Sequence, residues 1–399
     1  MVKQRKIVPV SGSPAIFDQL QSDPSRVDLP RKMPKYQVVF DYLHDNIQSG
    51  AYKPGDRLPS EAELGTMFDA SRITVAKAVM ELQRMNLVTR RPGAGTHVQA
   101  KQQANGFTFG LLIPELGLTE IFEPICHGMM RSPFARPDTL LWGNASGAGS
   151  LGSRREAAEE AEHMTQHFIG QKVSGIFFAP LELIPDKDAA NRRIMRLLER
   201  AKIPTVLLDR CYLPYPERSA HDLVGIDNRR TGYLATEHLI QLGVTRLTFL
   251  AEQYSAPTVD ARITGFYEAL RRHSIHPEAE SAWRGSAQDH GFVRQMLDVS
   301  RPQGIVCAND VTAARLMQSL LALGRRIPED VRIVGIDDVK YASLLPVPLT
   351  TMHQNCPAIG VIAMATMLQR LEHPELPTRD ILLPTRLVVR RSCGAHLHS

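Results

Sequence analysis

The chain has 399 residues, 43% of them hydrophobic, so it is long enough for two or three globular domains with sizeable cores. It contains no run of about eighteen apolar residues, and its N-terminus lacks the continuous apolar segment of a secretory signal. We therefore expect a cytoplasmic protein without membrane contacts. The five cysteines are scattered without CxxC spacing, which favours reduced thiols over disulfides or a zinc site. No metal and no cofactor is expected.

The positive charge of the chain is concentrated near its N-terminus. The net charge is +5, and residues 1–101 hold 15 Lys and Arg against 10 Asp and Glu, whereas the remaining residues hold 32 basic and 32 acidic ones. Residues 72–101 contain six basic side chains and one acid, Glu81. Such a cluster is typical of a surface that binds a polyanion, although a solvated helix face has the same composition.

The first structured segment follows a predicted flexible tail at residues 1–33, where Pro, Ser and charges alternate without a period. We expect one domain over residues 34–98. Its apolar residues first recur at intervals of three and four up to Gly50, which predicts a helix. They are Tyr36, Val39, Phe40, Leu43 and Ile47.

Two further helices are predicted before residue 86. Ser60 and Glu63 form a capping box at the start of the second helix, and Ser71 is the predicted N-cap of the third. The buried stripe of the third helix consists of Val75, Val79 and Leu82. Its remaining side chains lie nearer to solvent, namely Arg72, Ile73, Ala76, Lys77 and Arg84.

A β-hairpin is predicted after the third helix. Residues 87–90 and 96–98 form two short apolar runs around the turn at residues 91–95, which contains Pro92 and two glycines. Three helices followed by such a wing constitute a winged helix-turn-helix. In that arrangement the third helix fits the major groove of DNA, which is roughly 12 Å wide, and wing arginines reach the backbone or the minor groove.

Three motifs in this domain resemble those of the GntR-type winged-helix DNA-binding domain. They are residues 50–61 (GAYKPGDRLPSE), 71–75 (SRITV) and 93–96 (GAGT). The resemblance implies that Arg72 and Thr74 contact bases and phosphates and that Gly95 lies on the wing. The family usually has arginine where this chain has Ala62 and often where it has Ala76. The predicted DNA-binding set, with a structural role as the alternative for each member, is Arg57, Ser71, Arg72, Thr74, Lys77, Arg90, Arg91 and Gly95.

The rest of the chain has an α/β pattern. After a polar linker at residues 99–106, apolar strand-like runs alternate with helix-length segments, which predicts βαβ units and largely parallel sheets. The length of residues 107–394 exceeds one ordinary α/β domain and favours two doubly wound lobes that share a cleft. The predicted strands are FTFGLLIP, TLLWGNA, KVSGIFFAP, TVLLDR, DLVGID, RLTFLAE, GIVCAND and VRIVGIDD.

Residues 147–152 (GAGSLG) formally match the GxGxxG dinucleotide-binding fingerprint between a strand and a helix. The loop follows the second strand of its lobe, and the next strand ends at Ala179 and Pro180 without an acid for a ribose. We therefore interpret the loop as a flexible helix entry and not as a nucleotide site.

Polar side chains follow several of the predicted strands, at the edge where open α/β sheets bind ligands. Asn309 and Asp310 follow one strand, Asp337 ends another, and Arg262 lies near the start of a helix. Carboxylate, amide and guanidinium groups offer the paired donors and acceptors that sugar hydroxyls require. Helix capping is the alternative for these residues, and we favour it for Asp310.

Residues 107–392 resemble the effector domain of the LacI/GalR repressors, which is similar to periplasmic sugar-binding proteins. The motifs are residues 227–228, 262–266, 308–310, 335–338 and 348–351, in the family's order. The resemblance implies that Arg262, Asn309 and Asp337 contact sugar, with Thr258 nearby. Where several relatives place an aromatic ring against the sugar, this chain has Ser286 and Cys356, so Phe122 or Trp283 is the candidate stacking partner.

A GntR-type domain joined to a LacI-type domain resembles the arabinose-repressor subfamily. The predicted function is a ligand-responsive transcriptional regulator, expected to be a homodimeric repressor that binds double-stranded operator DNA and a small-molecule effector such as a sugar. The alternatives are a cytoplasmic sugar-binding protein and an α/β enzyme such as a sugar kinase or dehydrogenase. The winged helix opposes the first, and the absence of a phosphate loop or a nucleophile–base pair in the sequence opposes the second.

Overall fold

The structure is a computed structural model that describes residues 34–85, 87–91, 95–99, 106–113, 120–135, 138–142, 154–276 and 280–397. The chain divides into two compact units, residues 1–104 and 105–399. The predicted tail, most of the predicted linker and the glycine loop at residues 147–152 lie outside the described residues.

The N-terminal unit contains the predicted three helices and β-hairpin. Its elements are α1 (Lys35–Gln48), α2 (Glu61–Met67), α3 (Arg72–Arg84), β1 (Val88–Arg91) and β2 (Gly95–Val98). The two strands are antiparallel, with Arg90 opposite Thr96. The predicted stripe of α3 is buried with residues from every other element of the unit, so the amphipathic pattern did identify the core face.

Local side-chain bonds fix both helix starts in this unit. At α2 the Ser60 hydroxyl accepts from the Glu63 backbone N–H at 3.2 Å, while the Glu63 carboxylate accepts from the Ser60 N–H at 2.7 Å. At α3 the Ser71 hydroxyl accepts from the Thr74 N–H at 3.2 Å. Each cap satisfies backbone donors that the first helical turn leaves unpaired, so both predicted caps are confirmed.

The C-terminal unit is an α/β structure. Its strands are β3 (Thr108–Leu112), β4 (Thr139–Trp142), β5 (Gly175–Phe178), β6 (Thr205–Leu208), β7 (Asp222–Ile226), β8 (Leu247–Ala251), β9 (Ala282–Arg284), β10 (Gly304–Cys307), β11 (Arg332–Asp337), β12 (Thr350–His353), β13 (Asp380–Leu383) and β14 (Arg386–Val388). Its helices are α4 (Phe122–Met130), α5 (Arg154–Gly170), α6 (Lys187–Arg200), α7 (Asn228–Gln241), α8 (Pro257–Arg272), α9 (His290–Ser300), α10 (Asp310–Ala322) and α11 (Cys356–Glu372).

The strands form two sheets, one for each lobe. The first lobe has the strand order β13-β7-β6-β5-β3-β4, and every pairing in it is parallel. The second lobe has the order β14-β12-β11-β10-β8-β9, in which only the β12–β14 pairing is antiparallel. All eight predicted strands are present, whereas β9, β12, β13 and β14 were not predicted.

Three segments of the described chain pass from one lobe to the other. They connect β7 to α7, β12 to α11, and β13 to β14. Helix α7 packs into the core of the second lobe, while α11 packs into the core of the first. The carboxyl ends of the parallel strands therefore meet where the lobes face each other.

The cysteines are free thiols, as predicted. Cys126, Cys307, Cys356 and Cys393 are buried, and Cys211 is half-buried. No helix among the described residues is long and apolar enough to cross a membrane.

Each lobe contains a helix pair that crosses at glycines. In the second lobe a Cβ atom at Gly232 on α7 would overlap the carbonyl oxygen of Arg262, and one at Gly265 on α8 would overlap that of Arg229. In the first lobe Gly128 and Gly360 bring α4 and α11 together in the same way. Only a residue without a Cβ permits such close backbone approach.

We predict that Gly265→Ala lowers the free energy of unfolding by about 1–3 kcal/mol, because the new methyl group has to push α7 away from α8. Urea unfolding followed by circular dichroism measures this change. Gly170→Ala is the matched control, since a Cβ atom there meets nothing within 4 Å at the end of α5. It should leave stability unchanged or raise it by up to about 1 kcal/mol. Equal stability of the two variants would contradict the packing argument.

Candidate DNA-reading surface and ligand cleft

The N-cap and the first half of α3 hold half of the predicted DNA-binding residues, namely Ser71, Arg72, Thr74 and Lys77. Arg72 is exposed, and its guanidinium makes no hydrogen bond or ion pair with the described residues. Ser71 and Thr74 are already engaged, because their hydroxyl oxygens lie 2.8 Å apart. Ile73 is 83% exposed, which is unusual for a large apolar side chain. The free groups at this end of the helix are therefore Arg72 and Ile73.

Lys77 also lies on the exposed side of α3. Its ammonium group is 4.0 Å from the centre of the Tyr36 ring on α1, a cation–π arrangement. This contact holds the lysine head group against the protein while leaving it exposed to solvent. Lys77 thus has a structural role, as well as a position suited to a phosphate contact.

The wing carries the other predicted basic contacts. Arg90 on β1 forms an ion pair with Glu61 at the start of α2. Arg57 pairs with His97 of β2 as an isolated antiparallel bridge, and its side chain lies beside Gly95, which has a φ of +93°. A Cβ atom at Gly95 would lie 2.8 Å from the Arg57 Nε. Arg91 ends β1, and its side chain lies outside the described part of the structure.

The second site lies between the lobes of the C-terminal unit and begins with Asp209 and Arg210, which follow β6. Both side chains are about 5% exposed, and the Arg210 Nε donates to the Asp209 Oδ2 at 3.0 Å. Arg210 also forms an ion pair with Glu182. Its guanidinium carbon is 5.6 Å from the centre of the Phe122 ring. The guanidinium is therefore fixed between two carboxylates and an aromatic face.

Arg262 of α8 lies at the centre of the cleft and is 5% exposed. Its Nε donates to the Asn228 Oδ1 at 2.7 Å, and its Nη1 donates to the Ala308 carbonyl. Its Nη2 is 4.0 Å from the Asp337 Oδ1. The close α7–α8 crossing places Asn228 within reach of the arginine, since Gly232 and Gly265 lie one turn beyond the two side chains.

The acids of the cleft are strongly desolvated. Burial raises the pKa of Asp209 to about 6, and the neighbouring Arg262 guanidinium opposes that rise. Burial also raises the pKa of Asp337 well above its ordinary value, again against the attraction of Arg262. The backbone is strained at the same residues, with φ of 65° at Asp209 and 126° at Asp337. Both features are typical of residues that a fold holds in place for binding or chemistry.

Two acceptor atoms in the cleft lack a partner. Gln354, which follows β12, donates its Nε2 to the Asp337 Oδ1 at 2.9 Å. The Oε1 of Gln354 and the Oδ1 of Asp209 are buried and accept no hydrogen bond from the described residues. Unpaired buried acceptors cost free energy, so these atoms are suited to a ligand that donates hydrogen bonds.

Asn309 caps the start of α10, so the prediction that Asp310 is a helix cap was wrong. The Asn309 Oδ1 accepts from the Thr312 backbone N–H at 2.8 Å. Asp310 is buried and accepts from the Thr351 hydroxyl at 2.6 Å and from the Val339 N–H at 3.0 Å. Burial raises the pKa of Asp310 to about 7 despite these bonds. Asp310 therefore braces β11 and β12 behind the cleft.

The remaining predicted ligand-binding residues occupy different surroundings. Thr258 is half-buried and precedes Arg262 by one helical turn, so the two share a face of α8. Phe122 is 2% exposed and packs in the first-lobe core beneath Arg210. Trp283 is held in β9, where its Nε1 donates to the Ser300 hydroxyl at 2.8 Å and its ring meets Phe292 edge to face.

Contacts also join the lobes across the cleft. The Leu183 N–H donates to the Tyr254 carbonyl at 2.8 Å. Glu182, which pairs with Arg210, accepts from the Ala256 N–H at 3.2 Å. Glu120 accepts from the Lys340 N–H at 3.2 Å. These bonds link the first lobe to segments that follow β8 and β11 in the second, so the lobes are held together in a closed arrangement.

The sequence interpretation missed Asp209, Arg210, Asn228 and Gln354 as site residues. Asp209 and Arg210 follow a predicted strand, so the strand-end rule that selected Asp337 was sufficient to find them. Asn228 belongs to the LacI/GalR-like motif at residues 227–228, but its bond to Arg262 depends on how α7 crosses α8. Gln354 follows β12, a strand that was not predicted.

Two family models match the chain. Residues 35–98 match the gntR family of bacterial regulatory proteins, and residues 236–393 match the periplasmic binding protein-like domain. The first match coincides with the winged helix. The second includes the whole sheet of the second lobe together with α11 and β13.

The relatives with known roles are transcriptional repressors. The arabinose metabolism transcriptional repressor of Geobacillus stearothermophilus is 27% identical over 375 residues, covering 91% of this chain and 98% of that protein. The repressor PurR of Vibrio vulnificus is 32% identical over 287 residues, covering 71% of this chain and 80% of PurR. The ribose operon repressor of Escherichia coli K12 is 27% identical over 289 residues, covering 71% of this chain and 82% of that protein.

Solved structures share the fold of the C-terminal unit. A LacI family regulator from Enterococcus faecium, solved with bound ribose, has a TM-score of 0.57 and 24% identity, covering 71% of this chain and 98% of that one. The regulator GntR from Chromobacterium violaceum also has a TM-score of 0.57 and 24% identity, covering 72% and 100%. Because one relative is 32% identical over most of its length and both domain types match, the chain belongs to the LacI/GalR-type transcriptional regulators, in the group that carries a GntR-type winged helix.

Proposed function

We propose that the chain is a cytoplasmic repressor whose operator binding is modulated when a polyhydroxylated, uncharged small molecule binds between the lobes of the C-terminal unit. The observation that carries this proposal is the pair of unpartnered buried acceptors, Asp209 Oδ1 and Gln354 Oε1. Acceptors of this kind favour a ligand with several hydroxyl donors.

The charges of the cleft favour an unphosphorylated ligand. Three carboxyl groups, those of Asp209, Asp337 and Glu182, lie around the two guanidinium groups of Arg210 and Arg262. The positive charge of both arginines already faces carboxyl groups of the protein, so a phosphate would find no excess positive charge in the cleft and would be repelled by any ionised carboxylate. Sugar hydroxyls both donate and accept, and they therefore suit this mixture of groups.

We assign the ligand contacts to Asp209, Arg210, Arg262, Asn309, Asp337 and Gln354, with Phe122 and Thr258 at the margins. Two relatives are named for arabinose metabolism and the ribose operon, and a structural neighbour contains bound ribose. A pentose or a similar sugar is accordingly the effector class that we propose.

The proposed switch couples lobe closure to DNA binding. The ligand stabilises the closed cleft, and closure changes the spacing of the two winged helices in a homodimer. The coupling is a difference in ligand affinity between the DNA-competent state and the incompetent state, so operator DNA must change ligand affinity by the same factor by which the ligand changes DNA affinity. DNA contacts are assigned to Arg57, Ser71, Arg72, Thr74, Lys77, Arg90, Arg91 and Gly95.

We predict that Arg72→Ala weakens binding to a selected DNA site by about 1–3 kcal/mol, because an unpaired arginine at the start of a recognition helix can bond a guanine edge. The site is obtained by selection from random duplexes with the parent protein, and affinity is measured by fluorescence anisotropy at several salt concentrations. Arg200→Ala, which removes an exposed arginine from α6, is the control and should bind like the parent. Equal affinity of Arg72→Ala and the parent would remove α3 from the DNA interface.

We predict that Arg262→Ala binds the effector at least tenfold more weakly, because ligand hydroxyls in a closed cleft lose charged donors worth about 2–4 kcal/mol. The effector is the compound that gives the largest thermal shift in a panel of pentoses, hexoses and their phosphates, and calorimetry gives its affinity. Without ligand, the variant should bind DNA as the parent does. Arg229→Ala is the control, since that arginine is exposed on α7 and pairs with Glu268. Unchanged effector affinity in Arg262→Ala would exclude this residue from the site.

We predict that effector affinity falls about tenfold between pH 7.5 and pH 5. The ligand-free pKa of Asp209 is raised to about 6, and ligand hydroxyls that donate to the ionised carboxylate lower it on binding, so acidification opposes binding. Asp209→Asn cannot titrate at this position and should show a shallower pH dependence by calorimetry. Affinity that stays constant or rises on acidification would rule out donation to the Asp209 carboxylate.

A further inference from the structure

Ile73 is the most exposed large apolar side chain of α3, at 83%, compared with 50% for Met80 on the same helix. Exposure of an isoleucine brings no benefit to folding, because its branched side chain gains free energy only when it leaves water. Nothing in the core of the N-terminal unit depends on Ile73, since the hydrophobic cluster of that unit does not include it. The residue is therefore available to a partner of the helix.

The direction of Ile73 follows from helix geometry. Val75 and Leu82 are fully buried and mark the core face of α3. At 100° per residue, Ile73 points about 160–180° away from both of them. It therefore lies on the face of the helix opposite the core, and this face enters deepest when a recognition helix docks in a groove.

The surroundings of Ile73 indicate what that partner is. Arg72 precedes it and is exposed, and Lys77 lies one turn further with its exposed ammonium over Tyr36. Ala76, three residues on, is small and leaves space beside the isoleucine. An apolar side chain flanked by cations matches the major groove, where phosphates line both edges and the thymine C5-methyl is the apolar group on the base edges.

We propose that Ile73 contacts a thymine methyl group in the operator and thereby determines specificity at one base pair of each half-site. This inference rests on the proposed function, in which α3 occupies the major groove. It adds an apolar contact to the hydrogen-bonding role of Arg72. The neighbouring hydroxyls of Ser71 and Thr74, which lie 2.8 Å apart, are polar and do not supply the apolar contact that a thymine methyl group requires.

The test replaces single thymines by deoxyuracil, which removes the C5-methyl and leaves every hydrogen-bonding group in place. The selected duplex is prepared with each thymine replaced in turn, and affinity for the full-length parent protein is measured by fluorescence anisotropy. Burial of one methyl group predicts a loss of about fourfold at a single position of each half-site. Replacements elsewhere in the site should have little effect.

A protein variant combined with the deoxyuracil duplex completes a double-mutant cycle. Ile73→Ala removes the contact from both half-sites of the dimer, so it should lose about sixteenfold on thymine DNA, and it should show no further loss when the sensitive thymine becomes deoxyuracil. Ile73→Val should lie between Ile73→Ala and the parent. Met80→Ala is the matched control: Met80 is also exposed, but it lies about 10 Å further along the helix. This variant should keep the parent's response to deoxyuracil. Circular dichroism melts establish that each variant is folded.

Two outcomes would overturn the inference. One is a parent protein that binds every deoxyuracil duplex as tightly as the thymine duplex. The other is an Ile73→Ala variant that still loses affinity on the deoxyuracil duplex, which would place another residue against the methyl group. If Arg72→Ala weakens binding as predicted in either case, α3 remains in the groove and only the role of Ile73 is wrong. If Arg72→Ala binds normally as well, the proposed DNA interface itself fails.

Discussion

The structure of the cleft depends on the buried guanidinium of Arg262. It bonds Asn228 at the start of α7 and the Ala308 carbonyl at the end of β10, and it faces Asp337 at the end of β11. Three elements that are far apart in sequence are thereby fixed around one charge. Burial raises the pKa values of Asp209 and Asp337, and the positive charge of Arg262 lowers them again in part. Without it, two buried carboxylates would lack their main source of favourable potential.

The position of Arg262 depends in turn on backbone contact between α7 and α8. Gly232 and Gly265 let the helices approach until backbone meets backbone, and the side chains one turn earlier, Asn228 and Arg262, then come within 2.7 Å. The glycines of the α4–α11 pair act similarly in the first lobe, where Phe122 starts α4 and Cys356 starts α11. Each lobe thus uses a glycine crossing to set the helix starts that line the cleft. A packing constraint, and not only the polar residues themselves, therefore gives the site its geometry.

How far the sequence predicted these features depends on how local the responsible interactions are. The caps at Ser60 and Ser71 and the stripe of α3 arise from residues within one or two turns, and they were predicted correctly. The strand-end pattern selected Asn309 and Asp337, and a predicted helix start selected Arg262; in the structure Arg262 Nη2 lies 4.0 Å from Asp337 Oδ1. Asp310 was misinterpreted as a helix cap because its true partner, the Thr351 hydroxyl, lies 41 residues away in the sequence. Asn309 caps the helix instead. The strands β13 and β14 were missed because Pro384 interrupts the apolar segment that contains both. The part before Pro384 pairs with the sheet of the first lobe, and the part after it pairs with the sheet of the second lobe.

The energetics of the cleft support the proposed role of a neutral hydroxylated ligand as a switch. With the lobes closed, Asp209 and Gln354 each keep an acceptor that is buried and unpaired among the described residues, and each costs free energy. These terms oppose closure, whereas the bonds from Ala256 to Glu182 and from Leu183 to Tyr254 favour it. A ligand that donates to both acceptors removes part of the opposing cost only in the closed state. Its binding energy therefore differs between the open and closed states, and such a difference is the only means by which a ligand shifts a conformational equilibrium.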